Sequence, residues 1–435
     1  MKVLLISYFF APQNTIAAVR TTKIAKYLIR LGYDVEVVCG PPTFIDPILK
    51  SDLKEIKKLN VVHGLKMYEK KSKEFINNNN VYKNSILKKI LRKIKSILYK
   101  VLPNPPPVYL AFLNSLIWVY NARKILTNKI FYYDIIISSY GPIGSHILGL
   151  YLKLRHKKIF WIADYRDPMI DDKQKSTIRF IYSIYQYLSL KYADISLCVS
   201  KGLKEELASL QANAKLYIIT NGYDNEDMSF LNQEQLNKNK LIFSYAGSMY
   251  AGKRDLSPLF SILNELAIEK KIDIKLIKIL YMGNEFSTIK EMAKPYELDE
   301  ILVDLGFVSR DKALNILNNS DVLLLASWNT KKSQGILTGK IYEMILLKKP
   351  ILAFINGYAK NSELKEIIVK LNGGFVYEEG DKDSYNSIKD KIASLYKQKF
   401  ESFFISQEYN MEFRAKYDYK NIVKTLNNII HDNKK

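Results

Sequence analysis

The sequence is poor in cysteine and histidine. Two cysteines occur in 435 residues, Cys39 and Cys198, each inside an apolar run. That excludes a disulfide framework and suits a reducing compartment. The four histidines, His63, His146, His156 and His431, are scattered, so no His/Cys metal cluster is spelled out. Long apolar runs are lacking too. The longest, residues 108–120, is broken by Asn114 and Ser115. Nothing reaches the roughly 18 residues of a spanning helix. The apolar run after Met1-Lys2 is too short for a signal-peptide core. Any membrane contact is therefore expected to be peripheral. No internal repeat is visible.

Acidic residues are outnumbered. Lysine and arginine total 66 against 44 aspartates and glutamates, giving +22 and a pI near 9.5. Such an excess points to an anionic partner: nucleic acid, an acidic membrane surface or a phosphorylated substrate. A general richness in Lys, Asn, Ile and Tyr also contributes, so the global charge alone selects none of them. Hydrophobic residues make up 48% and charged ones 25%, a globular balance. The length suits two or three domains.

A beat of short apolar run, turn and amphipathic stretch recurs. Residues 3–7 read as a buried strand. Residues 15–31 follow with Ile16, Val19, Ile24, Tyr27, Leu28 and Leu31 at helical spacing, Gly32 ends the helix, and 35–39 is the next strand. This βαβ unit predicts a parallel sheet. Further strands are expected at 135–138, 159–163, 195–199 and 216–220. A polar stretch at 224–240 marks a boundary. A second series starts at 241–245, then 276–281, 302–305, 322–326, 351–354 and 375–377. The expectation is an α/β chain of two doubly wound, Rossmann-like domains, residues 1–225 and 226–406. A helical tail, 407–435, would pack back on the first. Ligands of such sheets bind beyond the carboxyl ends of the strands, so the facing edges would form one cleft.

One segment breaks the beat. Residues 85–102 place apolar side chains on one helical face and Lys88, Lys89, Arg92, Lys93, Lys95 and Lys100 on the other. A helix of this kind suits an anionic membrane interface, and a surface helix packed on the core is the plainer alternative.

Four constellations carry candidate chemistry. Gly247-Ser-Met-Tyr-Ala-Gly252-Lys253-Arg254 follows a strand and resembles a phosphate-cradling P-loop, except that Arg254 stands where a hydroxyl would hold magnesium. Its glycines and cations still suit a diphosphate at a helix N-terminus. Gly335-Ile-Leu-Thr338-Gly339-Lys340-Ile-Tyr-Glu343 opens another helix, where free amides and Lys340 would hold phosphate and Glu343 a ribose diol. A plain Lys–Glu helical pair is the alternative. Trp161-Ile-Ala-Asp164-Tyr-Arg166-Asp167-Pro168 closes a strand at its ligand end, with a surface ion pair as the alternative. Ser139-Tyr-Gly141-Pro142-Ile-Gly144-Ser145-His146 does the same, and places a histidine at a helix start.

Taken in order, these stretches resemble glycosyltransferase family 4. The resemblance spans nearly the full length. It is carried by Tyr8-Phe-Phe-Ala-Pro12, Gly141-Pro142 with His146, and Asp164-Tyr-Arg166-Asp167-Pro168. It continues through Ala246-Gly247-Ser248, Gly252-Lys253-Arg254-Asp255 and Leu337-Thr-Gly-Lys340-Ile-Tyr-Glu343. It implies the GT-B fold and a retaining, metal-independent transferase with no cofactor beyond a UDP- or GDP-linked sugar as donor. Arg254 and Lys340 would neutralise the diphosphate, and His146 would sit near the reacting sugar. Gly247, Ser248, Lys253, Thr338 and Gly339 would line the donor, Phe307 and Val308 its base, and Glu343 its ribose. Arg20, Asp164, Arg166 and Asp167 would face the acceptor. That acceptor would be a lipid-linked or oligosaccharide glycan in surface polysaccharide synthesis, reached from the cytoplasmic face of the membrane. Two departures stand out. The first loop, at 13–20, lacks the two glycines common in relatives, and Gly335 replaces the first glutamate of a Glu-x7-Glu pair. Competing readings are a GT-B epimerase of nucleotide sugars, a P-loop NTPase, and a metal-dependent enzyme using Asp381-Lys382-Asp383. A nucleic-acid binder is disfavoured, because the lysines are spread along the chain.

Overall fold

The computed structural model describes residues 1–11, 16–40, 60–63, 107–170, 176–232, 239–331, 334–403 and 405–434. The basic stretch at 85–102 and the first-loop residues 12–15 lie outside them. Seven strands form the first sheet: β1 (Lys2–Ser7), β2 (Asp34–Cys39), β3 (Asn60–His63), β4 (Ile135–Ser139), β5 (Phe160–Tyr165), β6 (Ile195–Cys198) and β7 (Leu216–Ile218). Their order is β3-β2-β1-β4-β5-β6-β7, and every pair is parallel. Six strands form the second: β8 (Leu241–Ala246), β9 (Ile277–Met282), β10 (Leu302–Asp304), β11 (Val322–Trp328), β12 (Ile351–Asn356) and β13 (Gly374–Glu378). Their order is β10-β9-β8-β11-β12-β13, again all parallel. The chain is thus an α/β protein of two doubly wound sheets.

Both faces of each sheet are covered, which is why the strands read as unbroken apolar runs rather than as alternation. In β1, Leu4 and Ile6 enter one core and Val3 and Leu5 the other. The first core is closed by the helices Pro107–Leu126, Gly144–Arg155, Ser176–Tyr192 and Lys201–Leu210. The second is closed by Ile16–Arg30 and by the chain's last helix, Tyr419–Asn433, through Tyr419, Ile422, Val423, Leu426 and Ile430. The tail therefore crosses back from the second sheet to the first. Where it does so, Tyr223 and Tyr419 donate backbone N–H groups to the carbonyls of Tyr417 and Tyr223, both at 2.9 Å. β11 runs two residues beyond its apolar stretch, because Ser327 and Trp328 stay in register with Ile355 and Asn356.

The helix Ile16–Arg30 points its cations at the segment where the chain leaves the first sheet. Arg20 grips Asp164 with two nitrogens, at 2.7 and 3.1 Å, and donates to the carbonyls of Ile219 and Thr220. Lys23 and Lys26 reach Asp224 at 3.0 and 2.7 Å, and Lys23 also reaches Asp227 at 2.7 Å. All six charged side chains are buried. Burial works to raise the Asp224 pKa, yet Lys23 and Lys26 hold the carboxyl well below its usual range. Asp164 is likewise held low, with Arg20 and Ser139 outweighing burial.

Removing one partner of a buried pair strands the other charge, which typically costs about 3–5 kcal/mol. Asp224→Asn should lower unfolding stability by about that amount in a urea titration. In the wild type both carboxyls have depressed folded-state pKa values. Their contribution is complete above the unfolded value of about 4 and drains away as pH falls below it. Melting curves between pH 7 and pH 3 should show that acid loss, and Asp224→Asn should flatten part of it.

Candidate active site

The loops that leave the carboxyl ends of both sheets face one another across a cleft of about 1220 Å³. The first domain lines it with Phe9, Gly141, Pro142, Arg166, Asp167 and Asn221. The second lines it with Ser248, Tyr250, Lys253, Arg254, Trp328 and Lys340, and with Thr338 and Gly339. Topology alone brings these distant residues together, since every strand of both sheets ends on the same side.

The second-domain wall is built around two cations. Lys340 opens the helix Lys340–Leu347, with Gly339 as its N-cap. Its ammonium is buried 4.7 Å from the Tyr245 ring centre and has no hydrogen-bond partner among the described residues. Burial, followed by the neighbouring Arg254, pushes its pKa well below that of a free lysine. Gly247 makes room for it: φ is +120°, and a Cβ at this position would collide with Lys340 Nζ. Arg254 donates Nη1 to the Ser248 carbonyl at 3.0 Å, and its guanidinium lies 4.4 Å from the Tyr250 ring. Its Nε is buried and unpaired among the described residues. Two buried cations thus aim at the same space beside a helix N-terminus. Desolvated cations placed so close repel one another, and an anion between them would stabilise both.

Glu285 organises the loop after β8. It accepts from the amides of Met249 at 2.7 Å and Ala251 at 3.0 Å, and from the Ser248 hydroxyl. The Ser248 hydroxyl first, and then these amides, lower its pKa. This settles the P-loop question in physical terms. The amides that would cradle phosphate already hold the protein's own carboxylate. Glu285 carried no motif, and its only sequence signal is a carboxylate just past a strand end.

Other expected site residues lie elsewhere. Arg20 and Asp164 are fully buried and bonded to each other, so neither meets an acceptor. His146, expected to border the reacting sugar, stands outside the cleft lining. Its ring is fully buried, with Nδ1 2.9 Å from the Ser138 hydroxyl and the Tyr165 ring edge-on at 4.7 Å. Burial takes its pKa down to about 3. It is a neutral core histidine, and Trp161 donates to the same Ser138 hydroxyl at 2.9 Å. Arg166 and Asp167 do line the cleft, and Arg166 is aimed by its 2.6 Å bond to the Tyr140 carbonyl. Glu343 accepts from Arg310 Nε at 2.7 Å, and Arg310 in turn reaches Asp227 at 2.9 Å. Arg310 was not singled out from the sequence. Phe307 is half exposed on the loop after β10, and with Val308 and Glu343 it stands outside the cleft lining. Asp381 is paired with Lys365 at 2.9 Å, and among the described residues no three His, Cys, Asp or Glu side chains converge as a metal-binding set. Gly335 has a local reason: φ is +68°, and a Cβ would stand 2.8 Å from the Gly202 backbone across the cleft.

Residues 17–227 match the profile of Glycosyltransferase Family 4. The match spans just under half of the chain and, with the solved structures below, supports a family 4 glycosyltransferase. Solved structures share its fold along nearly the whole chain. With a sucrose-phosphate synthase from Thermosynechococcus elongatus the TM-score is 0.62 at 12% identity, covering 99% of this chain and 98% of that one. With the lipopolysaccharide outer core galactosyltransferase WaaB it is 0.57 at 13%, covering 99% of each. With a variant of S. aureus TarM, solved with fondaparinux, α-GlcNAc-glycerol and UDP, it is 0.56 at 12%, covering 98% and 99%. These likenesses establish the two-domain GT-B fold. No curated protein matches the sequence at a significant level.

The unpaired Lys340 yields a test. Lys340→Met removes a desolvated charge while keeping the stem, so the ligand-free protein should melt about 2–4 °C higher, the equivalent of about 1 kcal/mol. The same variant should lose the melting shift produced by a nucleoside diphosphate. Differential scanning fluorimetry reads both.

Proposed function

We propose that this glycosyltransferase moves a hexose-type sugar, with retention, from a nucleoside-diphosphate sugar to a growing, lipid-linked glycan of a surface polysaccharide. The observation that carries the donor half is the pair Lys340 and Arg254: two buried cations without an anion, beside a helix N-terminus, in the cleft between two domains. As the glycosidic bond breaks, negative charge gathers on the leaving diphosphate. Fixed cations and oriented amides stabilise that charge more than they stabilise the intact donor, which is what lowers a barrier. Lys340 and Arg254 fill this role, with Lys253, Thr338 and Gly339 beside them. No metal is invoked in this step. Glu343, held by Arg310, is one turn along the same helix, where a ribose would lie if the diphosphate occupied the helix N-terminus. Arg166 and Asp167 on the opposite wall are the candidates for the acceptor. Support for a uridine donor comes from the UDP in the TarM structure. The lipid-linked acceptor and the inner membrane face rest on the basic composition and on the sequence at 85–102.

The test is a melting-temperature panel of UDP-, GDP- and other activated sugars, with and without EDTA. A ligand that binds only the folded state must raise the melting temperature. One base class should give a shift that EDTA leaves intact and that Arg254→Ala abolishes. A shift that vanishes with EDTA would overturn the metal-free reading. No shift with any nucleotide sugar would overturn the donor site.

A further inference from the structure

Three neighbouring helices, Pro107–Leu126, Gly144–Arg155 and Ser176–Tyr192, share one face of the first sheet with Lys201–Leu210. They are 20, 12 and 17 residues long and contain no aspartate or glutamate. This is a chain in which 44 of 435 residues are acidic. Their charged residues are all basic: Arg123, Lys124, Lys153, Arg155, Arg179 and Lys191. On the Ser176–Tyr192 helix, Phe180, Ile184 and Tyr187 are 66%, 42% and 45% exposed and follow one another at helical spacing, so they form a single apolar stripe. Lys191 continues it, with its ammonium within 6.0 Å of both the Tyr187 and Tyr192 ring centres. Leu154, at the end of the adjacent helix, is 50% exposed.

The charges beside the stripe are mostly cations, with Lys153 paired to Asp194 at 2.7 Å, and such a surface suits one solvent boundary above others. The rings and aliphatic groups enter the acyl margin while lysines and arginines meet lipid phosphates. With no acidic side chain on these three helices, little on them repels an anionic surface, and Glu205 and Glu206 lie on the next helix, Lys201–Leu210. We infer that the outer face of the Ser176–Tyr192 helix, with the two other acid-free helices, is the surface by which this protein docks on an anionic bilayer. The placement has a further consequence. Arg179, one residue before Phe180, lines the cleft. The stripe therefore begins at the cleft mouth and leads away from it. A glycan carried on a membrane lipid would meet the Arg166–Asp167 wall while its lipid stays in the bilayer. The inference deepens the acceptor half of the proposed function and is independent of the donor half.

The experiment uses the full chain with vesicles of pure phosphatidylcholine, or of equal parts phosphatidylcholine and phosphatidylglycerol. The wild type should float with the anionic vesicles only. The variant F180S/I184S/Y187S should bind them about tenfold more weakly while keeping its melting temperature and its nucleotide-sugar shift. Because Cys39 and Cys198 are both buried, a cysteine at Ile184 can be labelled alone with an environment-sensitive fluorophore. That probe should shift to the blue on anionic vesicles, and one at Ile268, 72% exposed in the second domain, should not. Flotation of the triple variant at the wild-type level, a silent Ile184 probe on bound protein, or no flotation at all would overturn the assignment. Loss of the nucleotide shift in the wild type would instead sink the donor site and leave the docking surface standing.

Discussion

The helix Ile16–Arg30 carries basic residues at 20, 23, 26 and 30, and all four are turned toward the crossing between the sheets. A parallel sheet cannot hold two domains in a fixed relation by itself, since its hydrogen bonds run only within it. The ion pairs supply that relation. Arg20 ties the helix to β5 through Asp164 and to the carbonyls of 219 and 220. Asp227 accepts from Lys23 on one side and from Arg310 on the other. Arg310 then holds Glu343 on the helix that Lys340 opens. A line of buried charge thus runs from the first domain to the helix at the donor wall. Such pairs give little net stability over apolar packing, but each is costly to break, so they fix geometry more than they add free energy.

The donor wall shows the opposite arrangement. Where the crossing matches every charge, the cleft leaves Lys340 unmatched. Glu285 is near enough to influence it, yet its oxygens are occupied by Ser248, Met249 and Ala251. The protein spends its own carboxylate on shaping the loop and leaves the cations for a ligand. The same glycine that permits the close approach, Gly247, accepts a backbone angle few other residues adopt. A close backbone approach and an uncompensated charge at one spot are what a site built for an anion looks like before the anion arrives.

The fold was legible because both sheets are buried on two faces. Runs such as Leu4-Leu5-Ile6 and Leu323-Leu324-Leu325 have no polar interruption, and the helices between them keep their period. β3 was not legible: Asn60-Val-Val-His63 offers only two apolar residues. The end of β11 was missed because Ser327 pairs through its backbone while its side chain gives no strand signal. In the site, Arg254 and Lys340 were readable as cations at strand-to-helix turns. His146, Arg20 and Asp164 were not. A histidine beside a Gly-Pro turn reads the same whether its ring faces a cleft or a core, and only packing against Tyr165 and Ser138 decides. Its spacing to Ile143 and Leu150 was the available hint. Arg20 and Asp164 lie 144 positions apart, and sequence spacing says nothing about a pair that only the folded sheet brings together.

The double crossing between the domains has a mechanical meaning. The outgoing chain at Tyr223 and the returning chain at Tyr417–Tyr419 run side by side and are hydrogen-bonded to each other. A single connecting strand would act as a swivel, leaving the halves free to twist as well as to open. Two strands clasped together act as the knuckles of a door hinge: bending about the line across them stays easy, while torsion would tear the clasp. Any opening of the two halves would thereby be confined to one coordinate, and a closure would return the cations of one wall to the same place opposite the other.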